Sequence, residues 1–127
     1  MRRIRTIVAD DHPDMVSALV SALEDDSRFT VVATAVSGPE AETVARRTSP
    51  DIVLLDVRMP GGGAVATRAI RALPRPPVVV AVSAYSSPTA VEEMMGAGAH
   101  GYLTKGRIGH LLPDLVVRCV DGEVVLI

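Results

Sequence analysis

The 127-residue chain has one cysteine, no tryptophan, one phenylalanine and two tyrosines, and no surplus of positive charge. A lone cysteine excludes a disulfide framework, and Cys119 falls in an apolar helical pattern, as a buried thiol in a reducing compartment would; a cytoplasmic protein is expected. Thirteen Lys and Arg against fifteen Asp and Glu leave a formal net charge of −2, and the pI is about 5.9. The only basic cluster is the small group Arg2, Arg3 and Arg5, so direct nucleic-acid binding by this segment is not expected. No apolar run reaches bilayer-spanning length, and the N-terminus passes within three residues from arginines into a strand pattern rather than a signal-peptide core. No membrane association follows from such a sequence.

What is present is an alternation of short Val/Ile/Leu runs with segments of helical period, the pattern of βαβ units and a parallel sheet. Strands are predicted over Ile4–Ala9, Thr30–Val36, Asp51–Leu55, Pro77–Val82 and Gly101–Leu103. Between them, apolar positions recur at helical spacing: Met15, Val16, Leu19, Val20 and Leu23 in the first helix, Val91, Met94 and Met95 in the fourth. The last helix carries Ile108, Leu111, Leu112, Leu115, Val116 and Cys119 on one side. Pro113 should make that helix start just before it or run irregularly through its first turns. Proline after Asp-His and after Ser37-Gly38 marks two helix starts, and Gly96-Ala97-Gly98 marks a stop. The chain is of a size for one domain, read over residues 1–122. After the helix-stopping Gly122, residues 123–127 read as the start of a linker or a truncated tail.

The chemistry-bearing residues cluster at strand ends. Asp10 and Asp11 follow Ile7-Val8-Ala9, and Asp56 follows Asp51-Ile52-Val53-Leu54-Leu55. In an open parallel sheet the crevice at the carboxyl ends of the strands is where such side chains converge. Ser83 follows the fourth strand and Lys105 the fifth, placing both on the same rim. Three close carboxylates repel one another without a cation, and an oxygen-only donor set suits Mg²⁺. Asp56 would then be free to act as a nucleophile on phosphorus, giving an aspartyl-phosphate. Alone, an acidic pair before a helix is an ordinary cap and dipole arrangement, and it is the third aspartate that turns the pattern toward function. His12 reads as an exposed first-turn residue outside the site, because Mg²⁺ prefers oxygen. The Gly61-Gly62-Gly63 run lacks the lysine and hydroxyl of a phosphate-binding loop and reads as a flexible connection before the third helix.

Three stretches, Ile7 to Pro13, Asp51 to Gly61 and Gly98 to Lys105, resemble the receiver domain of bacterial response regulators, particularly of the NarL/LuxR type, and the likeness extends over nearly the whole chain. It implies an α/β, flavodoxin-like, doubly wound, five-stranded parallel sheet of order 2-1-3-4-5. It implies that Asp56 is the phosphoacceptor, that Asp10, Asp11, Asp56 and the Arg58 carbonyl hold Mg²⁺, and that Lys105 pairs with the phosphoryl group. Ser83 would be the switch hydroxyl and Tyr102 the aromatic that follows it. The resemblance also implies a sensor histidine kinase as partner, a phosphorylation-dependent homodimer, and a DNA-binding output domain outside this segment. Two positions depart from the broad family pattern: Gly106 stands where many receivers have proline, and Pro113 sits at the start of the last helix.

Other classes weigh less. A haloacid-dehalogenase-type phosphatase needs a second acid two residues after its nucleophile, and that place is Arg58. A phosphate-independent interaction module, or a stand-alone receiver, is the remaining alternative; the former is disfavoured because no member of the acidic and lysine set is missing. Arg58 and Tyr85 lie two residues beyond Asp56 and Ser83, and the resemblance to receivers implies that bulky side chains there limit water's approach to a phosphoryl group. Kinase selection would lie on the first helix, at Asp14, Ser17, Ala18 and Ser21.

Overall fold

A computed structural model describes residues 2–127. The strands are β1 (Ile4–Ala9), β2 (Phe29–Ala35), β3 (Ile52–Leu55), β4 (Val78–Ser83), β5 (Gly101–Thr104) and β6 (Val125–Leu126). All pairings are parallel, in the order β2-β1-β3-β4-β5-β6. The expected order holds for the first five strands; the sixth corrects the expected strand count. Val125 and Leu126 register against Gly101 and Tyr102, Ile127 N–H donates to the Tyr102 carbonyl at 2.9 Å, and Thr104 N–H donates to the Ile127 carbonyl at 2.8 Å. The apolar run at the end of the chain thus satisfies backbone groups that β5 would otherwise leave unpaired.

The helices are α1 (Pro13–Glu24), α2 (Gly38–Thr48), α3 (Gly63–Arg71), α4 (Pro88–Gly96), α5 (Lys105–Ile108) and α6 (Leu112–Val120), with a 3-10 turn over Gly109–Leu111 between the last two. Pro113 lies in the first turn of α6, where its missing N–H costs nothing, so the last helical region starts as two short pieces before its regular run. Ser37 accepts the Glu40 amide at 3.2 Å while the Glu40 carboxylate accepts the Val36 amide at 3.0 Å, a reciprocal cap that opens α2.

Strand alternation sorts the core into two layers. Ile7, Ala9, Val53, Leu55, Val79 and Ala81 face α2, α3 and α4 through Ala41, Ala45, Ala66, Ile70 and Met94. Val8, Leu54, Val80 and Val82 face α1 and α6 through Leu19, Leu23, Leu115, Val116 and Cys119. With helices on both faces, the central strands are buried and read as continuous apolar runs. The Cys119 thiol is fully buried, and desolvation pushes its pKa up to about 11. Gly101 lets α6 and β6 close on β5: a Cβ there would lie 2.9 Å from Cys119 Sγ and 3.0 Å from the Val125 carbonyl.

Candidate functional site

Strands β1 and β3 deliver the aspartates at the upper rim. Asp10 follows β1 and is 1% exposed, and Asp56 follows β3 and is 5% exposed. The Asp56 amide donates to the Ala9 carbonyl at 2.9 Å and the Asp10 amide to the Ala35 carbonyl at 3.0 Å, so both aspartates continue the strand ladder before the chain turns away. Donor atoms of Asp10, Asp11, His12 and Asp56 all lie within 4.8 Å of one another. The three aspartates expected to converge therefore do, and His12, read from sequence as outside, joins them. Its Nδ1 is 3.0 Å from Asp10 Oδ1 and 3.2 Å from Asp11 Oδ1.

The turn after Asp56 depends on glycine. Gly63 donates to the Val57 carbonyl at 3.0 Å, and a Cβ on it would come within 2.8 Å of both the Asp56 carbonyl and Val57 Cα. Gly61 and Gly62 hold φ of +89° and +80°. The triple glycine is thus a close-approach turn that seats the Asp56 loop, rather than the merely flexible connection its composition suggested.

Lys105, at the start of α5, reaches across the rim and donates from Nζ to Asp10 Oδ2 at 2.7 Å. Burial alone would raise the Asp10 pKa, but the Lys105 ammonium and hydrogen bonds from His12 outweigh it and hold the carboxyl below its ordinary value. For Asp56 the balance runs the other way. Burial first, and the Asp10 charge second, raise its pKa, against the opposing Lys105 charge and the nearby Arg58 and Val57 amides. Asp11 Oδ1 is shut off from solvent and accepts no hydrogen bond, although His12 Nδ1 lies near it. Three carboxylates facing one ammonium, with an orphaned oxygen among them, form a donor set that fits a divalent cation.

Ser83 and Tyr102 occupy the expected elements but not the carboxylate cluster. Ser83 is the last residue of β4, which runs one residue past the predicted end at Val82, and it is fully buried. Its Oγ accepts the Tyr85 amide at 3.1 Å. Tyr102, buried on β5, donates its hydroxyl to the Tyr85 carbonyl. The Arg58 guanidinium stacks on the Tyr85 ring at 3.8 Å. Tyr85 therefore ties the loops after β3 and β4 to strand β5, a role the sequence did not reveal. A tyrosine two residues beyond a strand-end serine was the only signal.

The response regulator receiver domain family matches residues 6–114. This chain belongs to that family. The nitrate/nitrite response regulator homolog of Haemophilus influenzae is 32% identical over 125 residues, covering 98% of this chain and 60% of that protein. The probable transcriptional regulatory protein NarL of Mycobacterium tuberculosis is 34% identical over 122 residues, covering 95% of this chain and 56% of that protein. Among solved structures, the signal receiver domain of the putative response regulator NarL from Mycobacterium tuberculosis superposes with a TM-score of 0.92 at 33% identity, covering 97% of this chain and all of that one. The chain is a receiver domain of the NarL/LuxR type and spans between half and two-thirds of the length of these two curated relatives. Among the described residues, no helix is long and apolar enough to cross a membrane.

Proposed function

We propose that this receiver is a phosphorylation-controlled switch whose phosphoacceptor is Asp56. The observation that carries the reading is the convergence of Asp56 with Asp10, Asp11 and Lys105 at the carboxyl ends of β1, β3 and β5. In the step proposed, an Asp56 carboxylate oxygen attacks phosphorus of a phosphohistidine on a sensor kinase. The O–P bond forms, the P–N bond breaks, and the imidazole leaves with the bond's electron pair and takes up a proton. Asp10, Asp11, Asp56 and the Arg58 carbonyl would hold Mg²⁺, which when bound neutralises charge on the carboxylates and on the phosphoryl oxygens.

Lys105 rests on Asp10 and is 14% exposed at its side chain, so it is positioned to exchange this partner for a phosphoryl oxygen. Ser83 would give up the Tyr85 amide to donate to the phosphoryl group. Because Tyr102 grips the carbonyl of the same Tyr85, that exchange supplies a route from Asp56 to β5 and the surface beside it. Such a change biases an equilibrium between two conformations rather than catalysing turnover of a separate substrate. Similarity to the transcriptional regulatory protein NarL supports a transcriptional output through a domain outside residues 1–127; a cytoplasmic location and phosphorylation-dependent pairing of two copies complete the proposal. Within the chain, residues 1–122 would serve as the receiver's body, and residues 123–127, held on β5 through β6, would lead from it into a tether.

Intact mass after incubation with acetyl phosphate, with and without Mg²⁺, tests the reading on the wild type and Asp56→Asn. A Mg²⁺-dependent gain of one phosphoryl group that disappears in the variant is expected. A folded protein that binds Mg²⁺ but forms no adduct would point instead to a phosphate-independent interaction module.

A further inference from the structure

The switch reading leaves His12 idle. Its side chain is 69% exposed, yet Nδ1 is turned inward, 3.0 Å from Asp10 Oδ1 and 3.2 Å from Asp11 Oδ1. His12 occupies the N-cap position of α1 in an extended conformation, and its side chain makes no capping bond to that helix. Its own amide instead donates to Asp10 Oδ1 at 3.0 Å, which fixes the backbone against the crevice. Pro13, in the first turn of α1, adds rigidity immediately after it. The ring therefore contributes little to the helix and is held beside the carboxylates by a stiff main chain.

Its spacing from those carboxylates matches a coordination sphere. Metal–ligand bonds of about 2.1 Å put neighbouring donors on a six-coordinate ion about 3.0 Å apart. The two separations from His12 Nδ1 fall at that value or slightly above it, and the Asp56 donor lies in the same 4.8 Å cluster. A second observation points the same way. Asp11 Oδ1, the farther of the two oxygens, is buried and has no hydrogen-bond donor of its own.

We propose that His12 supplies a nitrogen ligand to the divalent ion of this crevice, so that the site selects a first-row transition ion such as Mn²⁺ over Mg²⁺. The inference rests on the metal site of the switch reading and deepens it. Mg²⁺ is a hard ion that keeps oxygen ligands and several waters, whereas imidazole adds affinity for ions later in the first-row series. On loading, the contact between Nδ1 and Asp10 is given up and the Nδ1 lone pair turns to the ion. Any proton on Nδ1 passes to solvent, and Nε2 carries the remaining ring proton on the exposed side. The ion's oxidation state does not change.

Mn²⁺ itself is the probe. Electron paramagnetic resonance counts free Mn²⁺ over wild type, His12→Ala, Asp11→Asn and Asp56→Asn, Mg²⁺ affinity follows by competition, and pulsed measurements on the bound ion detect coupling to ¹⁴N. Wild type should show one Mn²⁺ with ¹⁴N coupling. His12→Ala should lose that coupling and bind Mn²⁺ about tenfold more weakly, while Mg²⁺ affinity changes less than about twofold. The His12 side chain is exposed and makes no capping bond, and His12→Ala keeps the backbone carbonyl that accepts the Met15 and Val16 amides, so the variant should melt close to wild type. Mn²⁺ bound by wild type without ¹⁴N coupling, or an equal loss for both ions in His12→Ala, overturns the proposal and leaves the carboxylate site standing. Binding that is absent from wild type, or indifferent to Asp11→Asn and Asp56→Asn, overturns the metal site and His12 together.

Discussion

Replacing Asp56 by asparagine should stabilise the metal-free fold, even though it removes the residue on which the switch depends. Asp56 is almost wholly buried and shares a 4.8 Å cluster with two other carboxylates. Two unit charges at 4.8 Å in an effective dielectric near 20 repel by about 3.5 kcal/mol. Attraction to Lys105 offsets part of this, leaving a gain of about 1–3 kcal/mol for the neutral isostere. For a domain of this size that corresponds to a melting temperature higher by roughly 3–10 °C. Burial and the Asp10 charge raise the Asp56 pKa above its ordinary 3.8, so over the interval between the two values the folded state binds more protons than the unfolded one. The wild type's disadvantage is therefore complete above the folded pKa and fades as pH falls through it toward 3.8.

The assay is thermal or urea unfolding of both proteins in chelator at pH 7.5, repeated downward to pH 4 and again with saturating Mg²⁺. The variant should be the more stable in chelator, the gap should narrow with acid, and Mg²⁺ should close it because only the wild type keeps the full carboxylate set. An Asp56→Asn protein no more stable than wild type in chelator at pH 7.5 would refute the reasoning that uncompensated negative charge dominates this crevice.

The stacked pair Arg58 and Tyr85 should shield the acyl phosphate from water; the double variant Arg58→Ala/Tyr85→Ala should shorten its lifetime severalfold in a phosphate-release assay, and an unchanged lifetime would sink that role. His100 is held neutral: burial first, then the Arg71 charge, lowers its pKa, and its Nδ1 accepts the Val79 amide at 3.2 Å. Its stabilising contribution should therefore be complete above the unfolded value near 6.5 and decline as pH falls below it, because the unfolded chain takes up the proton first. His100→Asn, which retains an acceptor, should flatten the stability profile below about pH 6.5, and an unaltered slope in unfolding experiments would count against it. Gly101→Ala should cost about 1–3 kcal/mol through overpacking against Cys119 and β6 and should expose the otherwise protected Cys119 thiol to a maleimide reagent. Wild-type stability with a protected thiol would show that the clash is absorbed elsewhere.

By itself the sequence determined the alternation of elements and the aspartates and lysine at the strand ends, whereas the order of the first five strands followed only from the resemblance to receivers. The alternation and the strand-end residues follow from local rules: apolar period separates strand from helix, and parallel connectivity brings strand ends to one rim. Even its errors at strand ends were small. Strand β2 begins at Phe29 rather than Thr30, and Ser83 closes β4 rather than following it. Tertiary structure decided what depends on contacts between residues distant in the chain. Leu126 reads as tail in sequence and becomes strand only because β5 presents an unpaired edge. Tyr85 stands out in sequence only for its distance from Ser83, and its place as the residue on which Ser83, Tyr102 and Arg58 meet comes from the fold. Whether Asp10 or Asp56 holds its proton more tightly depends on which carboxylate Lys105 reaches from β5's end, and 95 residues of sequence separate Lys105 from Asp10. Propensity and period act over a few neighbours, whereas charge pairing, edge pairing and close packing act through space.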